Sequence, residues 1–478
     1  MITLPLSHCS GLDTRQMWDD EDRWNLDTCD NVQILPGGSL SCRPALVKVC
    51  DLSSSSFGLY VRGSFLRAVV ASGQSLQITA PFGSGVVYDG IGRGGSFNYT
   101  GKIDKVVAAE TFGVGSAGPY GYIAILRADN GLVEHHWIKD PPVSSATYLS
   151  TYVSLPFTPG RALLKIQKKM CADDPANGYL RHCSPLDPTD WTTTGLAGFE
   201  AALQFVNGAR EIVGFGVHRG TLAVIYADAV QLWHMDPAPA NILPLEVMAG
   251  TGTGYPRSAV NVYGDLHYLG DSGFSSLGTA RDSGQANYTD IGDVIRTLTA
   301  AIAAGALAVA LFSQRRSQYL CAVGATVYCF SIYPKANEKA WTTWTLPVSV
   351  EAMAELAGVV YVRSANVLYR LDDTVGRDSG VATDIAWSWR SRELGGKARN
   401  SALIKSLHAI VPQCTASATW TPVCDGRTLT AARVTIPGGT RPIRAHFTGS
   451  GRRVAVSCSG TGLMRCDGVV LGAEVCGV

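Results

Sequence analysis

The chain has 478 residues, of which 46% are hydrophobic and 17% charged, and its formal net charge is +1. This length predicts two or three domains with large cores, and the hydrophobic content excludes a mainly disordered chain. The charged fraction is lower than the roughly 25% of typical soluble domains, which favours an oligomer with buried interfaces over a monomeric β protein with short polar loops. A net charge near zero excludes a general attraction to nucleic acid.

The N-terminal residues lack the basic and long apolar regions of a signal peptide. The most apolar stretch, 298–312, is shorter than the ~20 residues that span a bilayer, so no membrane span is predicted. The 13 cysteines are odd in number and form no Cys-x-x-Cys, so they do not match a zinc site. We therefore expect buried free thiols in a protein assembled in a reducing cytosol.

Five pairs of alternating apolar segments, each pair joined by a short polar turn, predict β-hairpins. In the first pair the turn contains Asn130-Gly131, which suits the positive φ angles of a tight hairpin. The pairs are 121–126 with 132–137, 221–226 with 230–234, 265–269 with 274, 319–323 with 327–330, and 358–362 with 367–371.

The last four hairpins recur at intervals of roughly 40 to 55 residues, close to the length of one propeller blade. The fold class is therefore predicted as all-β, with a β-propeller over 45–380; a β-sandwich of unrelated hairpins is the alternative. Helix is scarce, and its best site is 290–304, where Asp290 or Asp293 can cap a short helix.

The pattern changes near residue 380, after which five short strands predict a β-sandwich-like domain over 381–478. They are 403–411, 416–420, 433–436, 444–447 and 454–458. The predicted organisation is an extended N-terminal segment (1–44), a propeller (45–380) and this appended C-terminal domain.

The C-terminal domain is basic, with 12 Lys and Arg against 5 Asp and Glu. Such an excess can face DNA, or it can be a solvated or subunit-contacting surface, and the second interpretation is favoured. The candidate partner or subunit contacts are Arg441, Arg444, Arg452 and Arg453.

No catalytic, cofactor-binding or metal-binding motif is found. The glycine-rich segments 83–95 and 252–254 lack the dinucleotide and Walker patterns and are predicted to be turns. In an oligomer, the long loops 83–95 and 249–256 could reach neighbouring subunits or narrow a lumen. His135 and His136 are adjacent, so on a strand they point to opposite faces and cannot share a metal. Asp19–Asp22 lacks the spacing of a calcium loop. The prediction is a protein that is not an enzyme and holds no cofactor.

A glycan-binding or glycan-cleaving propeller is the alternative, because paired carboxylates can come from distant strands. Ser184-Pro-Leu-Asp187-Pro-Thr-Asp190-Trp191 looks like the Asp-box turn of sialidase propellers. Its Ser-to-Asp spacing is one residue off, and Thr189 stands where that box has glycine, so it gives the enzyme little support.

Three segments resemble a known family when they are taken together. Asn31, the Gly37-Gly38 pair and Arg43-Pro44 resemble the N-terminal signature of phage tail-nozzle proteins, although Ala45 replaces the usual glycine. Asp187-Pro-Thr-Asp-Trp191 is similar to a loop of that family, and 255–274 looks like its recurring blade hairpin. The segment Lys339–Trp344 also fits.

The resemblance implies a structural tail-nozzle or hub protein of a short-tailed bacteriophage (podovirus). Such a protein forms a homo-oligomeric ring, a hexamer in that family, in the virion tail, and it is assembled in the host cytoplasm. Its expected partners are the head-to-tail adaptor protein, tail fibre proteins and the genomic DNA. That DNA passes through the lumen during ejection and is not bound by sequence.

Overall fold

The computed structural model describes residues 2–6, 9–13, 24–52, 56–62, 65–72, 75–79, 88–91, 103–113, 119–128, 130–138, 148–185, 187–202, 211–279, 286–333, 338–395, 402–410, 413–414, 418–429, 432–434, 443–445, 450–451, 453–466 and 468–475. With 58% strand and 5% helix, the protein is all-β, as its sequence predicts.

Six strands precede residue 52, and most of them pair with strands near the other end of the chain. They are β1 (Ile2–Leu6), β2 (Cys9–Leu12), β3 (Trp24–Asp30), β4 (Val32–Ile34), β5 (Leu40–Cys42) and β6 (Ala45–Asp51).

The next eight strands form one sheet made of two four-stranded antiparallel meanders, which we number units 1 and 2. Unit 1 contains β7 (Ser56–Arg62), β8 (Phe65–Ser72), β9 (Ser75–Thr79) and β10 (Tyr88–Ile91). Unit 2 contains β11 (Ile103–Gly113), β12 (Pro119–Arg127), β13 (Val133–Ile138) and β14 (Tyr148–Tyr152). The parallel pair β10–β14 joins them.

Three separate four-stranded meanders follow, units 3 to 5. Unit 3 is β15 (Leu163–Ile166), β16 (Lys169–Asp174), β17 (Tyr179–His182) and β18 (Gly198–Glu200). Unit 4 is β19 (Gly214–His218), β20 (Thr221–Ile225), β21 (Ala229–His234) and β22 (Leu243–Ala249). Unit 5 is β23 (Val260–Val262), β24 (Asp265–Gly270), β25 (Gly273–Thr279) and β26 (Ala286–Asp290).

Units 6 and 7 complete the series. Unit 6 is β27 (Ala308–Ser313), β28 (Gln318–Val323), β29 (Thr326–Tyr333) and β30 (Glu338–Thr345). Unit 7 has β31 (Ala352–Leu356), β32 (Val359–Ser364) and β33 (Val367–Asp372). Its fourth strand is β6, which pairs antiparallel with β33, so the beginning of the chain completes the last unit.

The first strands of the seven units contact one another in chain order. β7 contacts β11, and the contacts continue through β15, β19, β23 and β27 to β31. β31 in turn contacts β7, so the contacts form a closed circuit.

Twelve strands are described after residue 385, and some of them continue the sheet of unit 6 through β3, which pairs with both β30 and β34. They are β34 (Ala386–Ser391), β35 (Leu394–Gly395), β36 (Ala402–Ile410), β37 (Gln413–Cys414), β38 (Ala418–Cys424), β39 (Arg427–Thr428), β40 (Ala432–Val434), β41 (Ile443–Ala445), β42 (Ser450–Gly451), β43 (Arg453–Thr461), β44 (Met464–Cys466) and β45 (Gly468–Val475). A further sheet contains β1, β45, β36 and β41, and a small one contains β37, β44, β5 and β4.

The helix predicted at 290–304 is much shorter than expected. A 3-10 turn at Asp293–Ile295 leads into α1 (Arg296–Thr299), and two further 3-10 turns lie at Pro239–Asn241 and Pro256–Ser258. Two of the four α1 residues are threonines, which lose χ1 freedom in a helix. Within the described residues, no helix has the length and hydropathy needed to cross a membrane.

The apolar core lies largely between neighbouring units. Leu266 and Tyr268 of unit 5 pack in one cluster with Ala223 and Ile225 of unit 4. Phe274 of unit 5 packs against Trp341 of unit 6, with ring centroids 4.6 Å apart. Each unit therefore buries its apolar faces against its neighbours.

All five predicted hairpins are confirmed by antiparallel pairing. They are the second and third strands of units 2, 4, 5, 6 and 7. The division into an N-terminal segment, a propeller and a C-terminal domain stays a prediction.

Candidate functional site

Arg43 and Asp378 form a buried ion pair at the centre of the N-terminal signature. Arg43 is 3% exposed and Asp378 6%. The guanidinium donates two hydrogen bonds to the carboxylate, from Nη1 to Oδ1 at 3.0 Å and from Nη2 to Oδ2 at 2.6 Å. Its Nε donates to Asn31 Oδ1 at 2.8 Å. Because the planar guanidinium satisfies both side chains at once, a lysine could not replace it.

The Asn31 side chain extends this contact to two further segments. Its Oδ1 also accepts a hydrogen bond from the backbone N–H of Thr345 at 2.7 Å, and its Nδ2 donates to the carbonyl of Ala386 at 2.8 Å. Asp378 Oδ1 accepts from the N–H of Leu46 at 2.7 Å. We call Asn31, Arg43 and Asp378 the N-terminal joint, because they connect β6, the end of unit 6 and the start of β34.

A second polar group supports the joint from the side of unit 6. Gln33 Nε2 donates to Asp373 Oδ1 at 3.0 Å. Arg316, which lies between β27 and β28, donates through Nη1 to the same oxygen at 3.1 Å. Gln33 is 2% exposed, so its buried amide requires these partners. The segment after β33 is thereby held against both β4 and unit 6.

Trp341 and Trp344, in the segment 339–344, are buried beside the N-terminal strands. Trp344 Nε1 donates to the carbonyl of Val32 at 3.0 Å. Trp341 Nε1 donates to the carbonyl of Ile291 at 2.7 Å. Both rings are at most 2% exposed. The segment therefore contributes core packing between the N-terminal strands and unit 6.

The loop Asp187–Trp191 is a self-capped turn in unit 3. Asp187 Oδ1 accepts from the N–H of Thr189 at 3.0 Å, and Asp190 Oδ1 accepts from the N–H of Thr192 at 3.1 Å. Hydrogen bonds from Thr193 and Thr192 hold the pKa of Asp190 below its usual value. Trp191 is buried and donates to the carbonyl of Pro188 at 2.8 Å.

The glycine-rich segment near 252 is packed within the chain, and a contact of the loop 249–256 with a neighbouring subunit or with a lumen stays a prediction. A Cβ on Gly252 would lie 2.3 Å from the carbonyl oxygen of Tyr226. Thr253 is fully buried, and its N–H donates to that carbonyl at 3.0 Å. The segment therefore packs backbone against backbone between units 4 and 5. The segment 83–95 lies mostly outside the described residues.

Only two of the four candidate contact residues lie in described strands. Arg441 and Arg452 lie outside the described residues, as does Asp19–Asp22. Arg444 is on β41 and Arg453 is on β43, in two different sheets. Their role as partner or subunit contacts stays a prediction.

Two carboxyl groups near the junction of units 2 and 3 have strongly raised pKa values. Burial raises the pKa of Glu110, on β11, to about 7, although the Lys165 backbone and charge oppose this. Burial likewise raises the pKa of Asp173, on β16, to about 7. Asp173 is 3% exposed and accepts from the N–H of Ala162 at 2.9 Å, which fits a structural role. Glu110 is half-buried as a whole residue, and its carboxyl group lies in the buried part.

Lys169 of β16 is fully buried. Its Nζ donates to the carbonyl of Cys183 at 3.2 Å and to that of Leu196, and it lies 3.2 Å from His182 Nδ1. Burial lowers its pKa. With its donors occupied by backbone carbonyls, the ammonium fastens the loop before β18 to β16.

The two adjacent histidines have different surroundings on β13. His135 Nδ1 lies 2.9 Å from the Tyr122 hydroxyl, and burial lowers the pKa of His135 to about 3. His136 Nε2 lies 3.6 Å from Glu134 Oε2. Within the described part of the chain, no three His, Cys, Asp or Glu side chains are grouped to hold a metal. The described cysteines are free thiols, and burial raises the pKa of Cys329 to about 12.

Sequence reasoning missed Asp378, Lys169 and Glu110. Asp378 is separated from Arg43 by 335 residues. Lys169 and Glu110 are residue types that are ordinarily exposed, and the partners of Lys169 are 13 to 27 residues away in the chain. No local pattern indicates such contacts.

No protein-family model and no curated protein matches the chain. Solved structures do match. One is the exo-β-1,3-galactanase of Phanerochaete chrysosporium, with 10% identity, 89% of this chain and 99% of that chain covered, and a TM-score of 0.29. Another is the major allergen Mala s 1 of Malassezia sympodialis, with 10% identity, 69% and 97% covered, and a TM-score of 0.37.

The comparison with the galactanase corrects one prediction. The sequence predicts that the chain is not an enzyme, and a similarity to a glycoside hydrolase contradicts this. That prediction rested on the absence of a contiguous catalytic motif, and such an absence does not exclude carboxylates that come from distant strands. At this identity and TM-score the similarity assigns no substrate to the present chain.

Proposed function

We propose that the seven units are the blades of a β-propeller and that the protein is a structural subunit of the tail nozzle of a short-tailed phage. The closed circuit of contacts from β7 to β31 supports the propeller. So does the completion of unit 7 by β6, since a propeller with a shared last blade leaves no open sheet between its ends. The C-terminal strands would form the appended sandwich-like domain.

The observation that carries the nozzle proposal is the N-terminal joint. The signature residues Asn31 and Arg43 are buried and hydrogen-bonded to each other, and both reach segments more than 300 residues away. Residues with so many obligatory partners are difficult to replace within one architecture. A shared signature at such a joint therefore favours a shared architecture over a chance similarity of short segments.

In the proposed assembly, copies of the chain form a ring, a hexamer by analogy with the family, below the head-to-tail adaptor. Tail fibres would bind its outer surface, and the genome would leave through the lumen. A net charge of +1 suits a channel through which DNA slides, because a strongly basic wall would retain the phosphate backbone. The protein would then reside in the virion tail.

The purified full-length chain tests this proposal by mass photometry and negative-stain imaging. A closed ring with a central hole, of several times the monomer mass, is the expected result. A monomer at every concentration examined would overturn the nozzle proposal.

A glycan-binding or glycan-cleaving propeller is the second candidate. Glu110 favours it, because a glycosidase needs a carboxyl group that keeps its proton near neutral pH. The same preparation can be incubated with a panel of neutral polysaccharides while reducing ends are measured. Hydrolysis that Glu110→Gln abolishes and that the wild-type chain performs as a monomer would replace the nozzle by this second function.

A further inference from the structure

Half of the exposed large hydrophobic side chains lie along the outer strands of two neighbouring units. Ten such side chains are exposed among the described residues, and five of them are on or beside β18 and β22. We call these five the apolar rim: Leu196 (45% exposed), Phe199 (50%), Leu243 (56%), Leu245 (56%) and Val247 (40%). Scattered single residues of this kind need no explanation, but a concentration of them marks an interaction site.

Strand β22 exposes apolar side chains on one face and carries its charged residue on the other, less exposed face. Leu243, Leu245, Val247 and Ala249 alternate along the exposed face. The other face carries Pro244, Glu246 and Met248, so the only charged residue of the strand is on its less exposed side. The pairing of β22 with β21 contains a bulge, because Glu246 faces Leu232 and Pro244 faces the next residue, Trp233. Leu245, between Pro244 and Glu246, therefore has no cross-strand partner. An apolar face that is exposed on the outer strand of a sheet favours association with a surface that covers it.

The two units that carry the rim share one apolar cluster. Ile242, which directly precedes Leu243, packs in the same apolar cluster as Leu180 of unit 3 and Ala202. Leu180 faces Glu200 across the β17–β18 pair, next to Phe199. Gln231 of unit 4 donates to the carbonyl of Ala202 at 2.9 Å. The rim is therefore divided between the outer strands of two units whose buried residues pack together.

The charges around the rim favour a protein partner. The guanidinium of Arg181, which lies 4.8 Å from the Phe199 ring centroid, is paired with Asp174 at 2.6 Å. No lysine or arginine occurs in β22. A lipid surface or nucleic acid would need free basic side chains here. Pro244 removes a backbone donor from the strand, so the partner packs on side chains and does not extend the sheet.

We propose that the apolar rim is the surface through which one copy of this chain binds a second copy. The rim strands and their loops, 193–200 and 239–249, supply on the order of 20 residues, close to one side of a stable interface. The low charged fraction of the whole chain fits a permanent contact, because permanent interfaces are the more hydrophobic ones. This inference rests on the proposed ring, in which each copy presents the rim to a different surface of the next copy.

Leu245→Asp tests the inference, with Leu132→Asp as the matched control. Leu132 is 48% exposed and lies at the β12–β13 turn of unit 2, which contains neither rim strand. A carboxylate buried in the interface should weaken association at least tenfold, which corresponds to about 1.4 kcal/mol. Mass photometry across a dilution series measures the assembly, and thermal unfolding checks that both variants fold. We expect Leu245→Asp to dissociate into folded monomers and Leu132→Asp to assemble as the wild type does.

The outcomes separate this inference from the proposed function. A ring that forms equally well with Leu245→Asp overturns the rim contact and leaves the nozzle proposal standing. Wild-type dimers that Leu245→Asp dissociates, without any ring in the images, support the rim and overturn the nozzle. Wild-type chain that stays monomeric overturns both. If Leu245→Asp does not fold, Leu243→Gln is measured in its place. Its assembly is compared with that of the wild type and of Leu132→Asp, and the same results support or overturn the rim contact.

Discussion

At the scale of single residues, the N-terminal joint contains one buried ion pair in which each charge depends on the other. Removing one partner from such a pair leaves an uncompensated charge and costs about 3–5 kcal/mol. We therefore expect Arg43→Met to lower the free energy of unfolding by that amount, because Asp378 loses its charged partner and Asn31 loses one of the two donors to its Oδ1 atom. Urea unfolding followed by tryptophan fluorescence measures the change.

A nearby exposed pair supplies the control. Arg377 and Asp384 are 2.7 Å apart but are 55% and 40% exposed, so Arg377→Met should cost less than about 1 kcal/mol. In the double variant Arg43→Met/Asp378→Leu the loss should be smaller than in Arg43→Met alone, because no charge remains buried without a partner. Equal losses for the two arginine variants would contradict the assignment of the joint.

The residues of the joint also show what sequence can and cannot predict. Asn31 and Arg43 stand out in the sequence because their spacing resembles a known signature. Asp378 does not, because it is one acidic residue among many, and only the docking of β6 onto β33 brings it to Arg43. The candidate contacts Arg441, Arg444, Arg452 and Arg453 were chosen from net charge, which indicates a surface but no partner.

At the scale of elements, the hairpins could be predicted and the outer strands could not. Thr221–Ile225 and Ala229–His234 are close in sequence, rich in apolar residues and joined by a short turn, so local chemistry determines their pairing. Leu243–Ala249 has a normal alternation, but nothing local indicates that its apolar residues face outwards. The face of a strand depends on which partner covers it, and an intermolecular partner is invisible in one sequence.

The segment 251–255 offers a test of how units 4 and 5 are packed. A Cβ on Gly252 would lie 2.3 Å from the Tyr226 carbonyl oxygen, whereas one on Gly254 would have no neighbour closer than 3.9 Å. Gly252→Ala should therefore cost about 1–3 kcal/mol through backbone displacement. Gly254→Ala should be neutral or slightly stabilising, because it restricts only the unfolded chain. Thermal unfolding of the two variants distinguishes them, and similar transition temperatures would contradict this packing.

At the scale of the whole molecule, the N-terminal segment holds together parts that are distant in the chain. β3 lies between β30 and β34, β5 pairs with β44, and β6 completes unit 7. Three sheets therefore lack a strand until residues 24–52 have docked. Folding can be completed only after the rest of the chain is available, and contacts of such high sequence separation form slowly.

A truncated chain of residues 53–478 should consequently lose cooperative unfolding. It would expose the unpaired edges of β30, β33, β34 and β44, which are sites of aggregation. The matched control, residues 24–478, lacks β1 and β2 but keeps the strands that complete those three sheets. It should unfold in one sharp transition, at a lower temperature than the full chain because the core residues Cys9 and Leu12 are lost. Differential scanning calorimetry compares the three chains. Adding a synthetic peptide of residues 24–52 to the shorter chain should restore the transition, since the docking surface is then filled again. A shorter chain that unfolds as cooperatively as the control, without the peptide, would mean that the seven units are stable without their N-terminal closure.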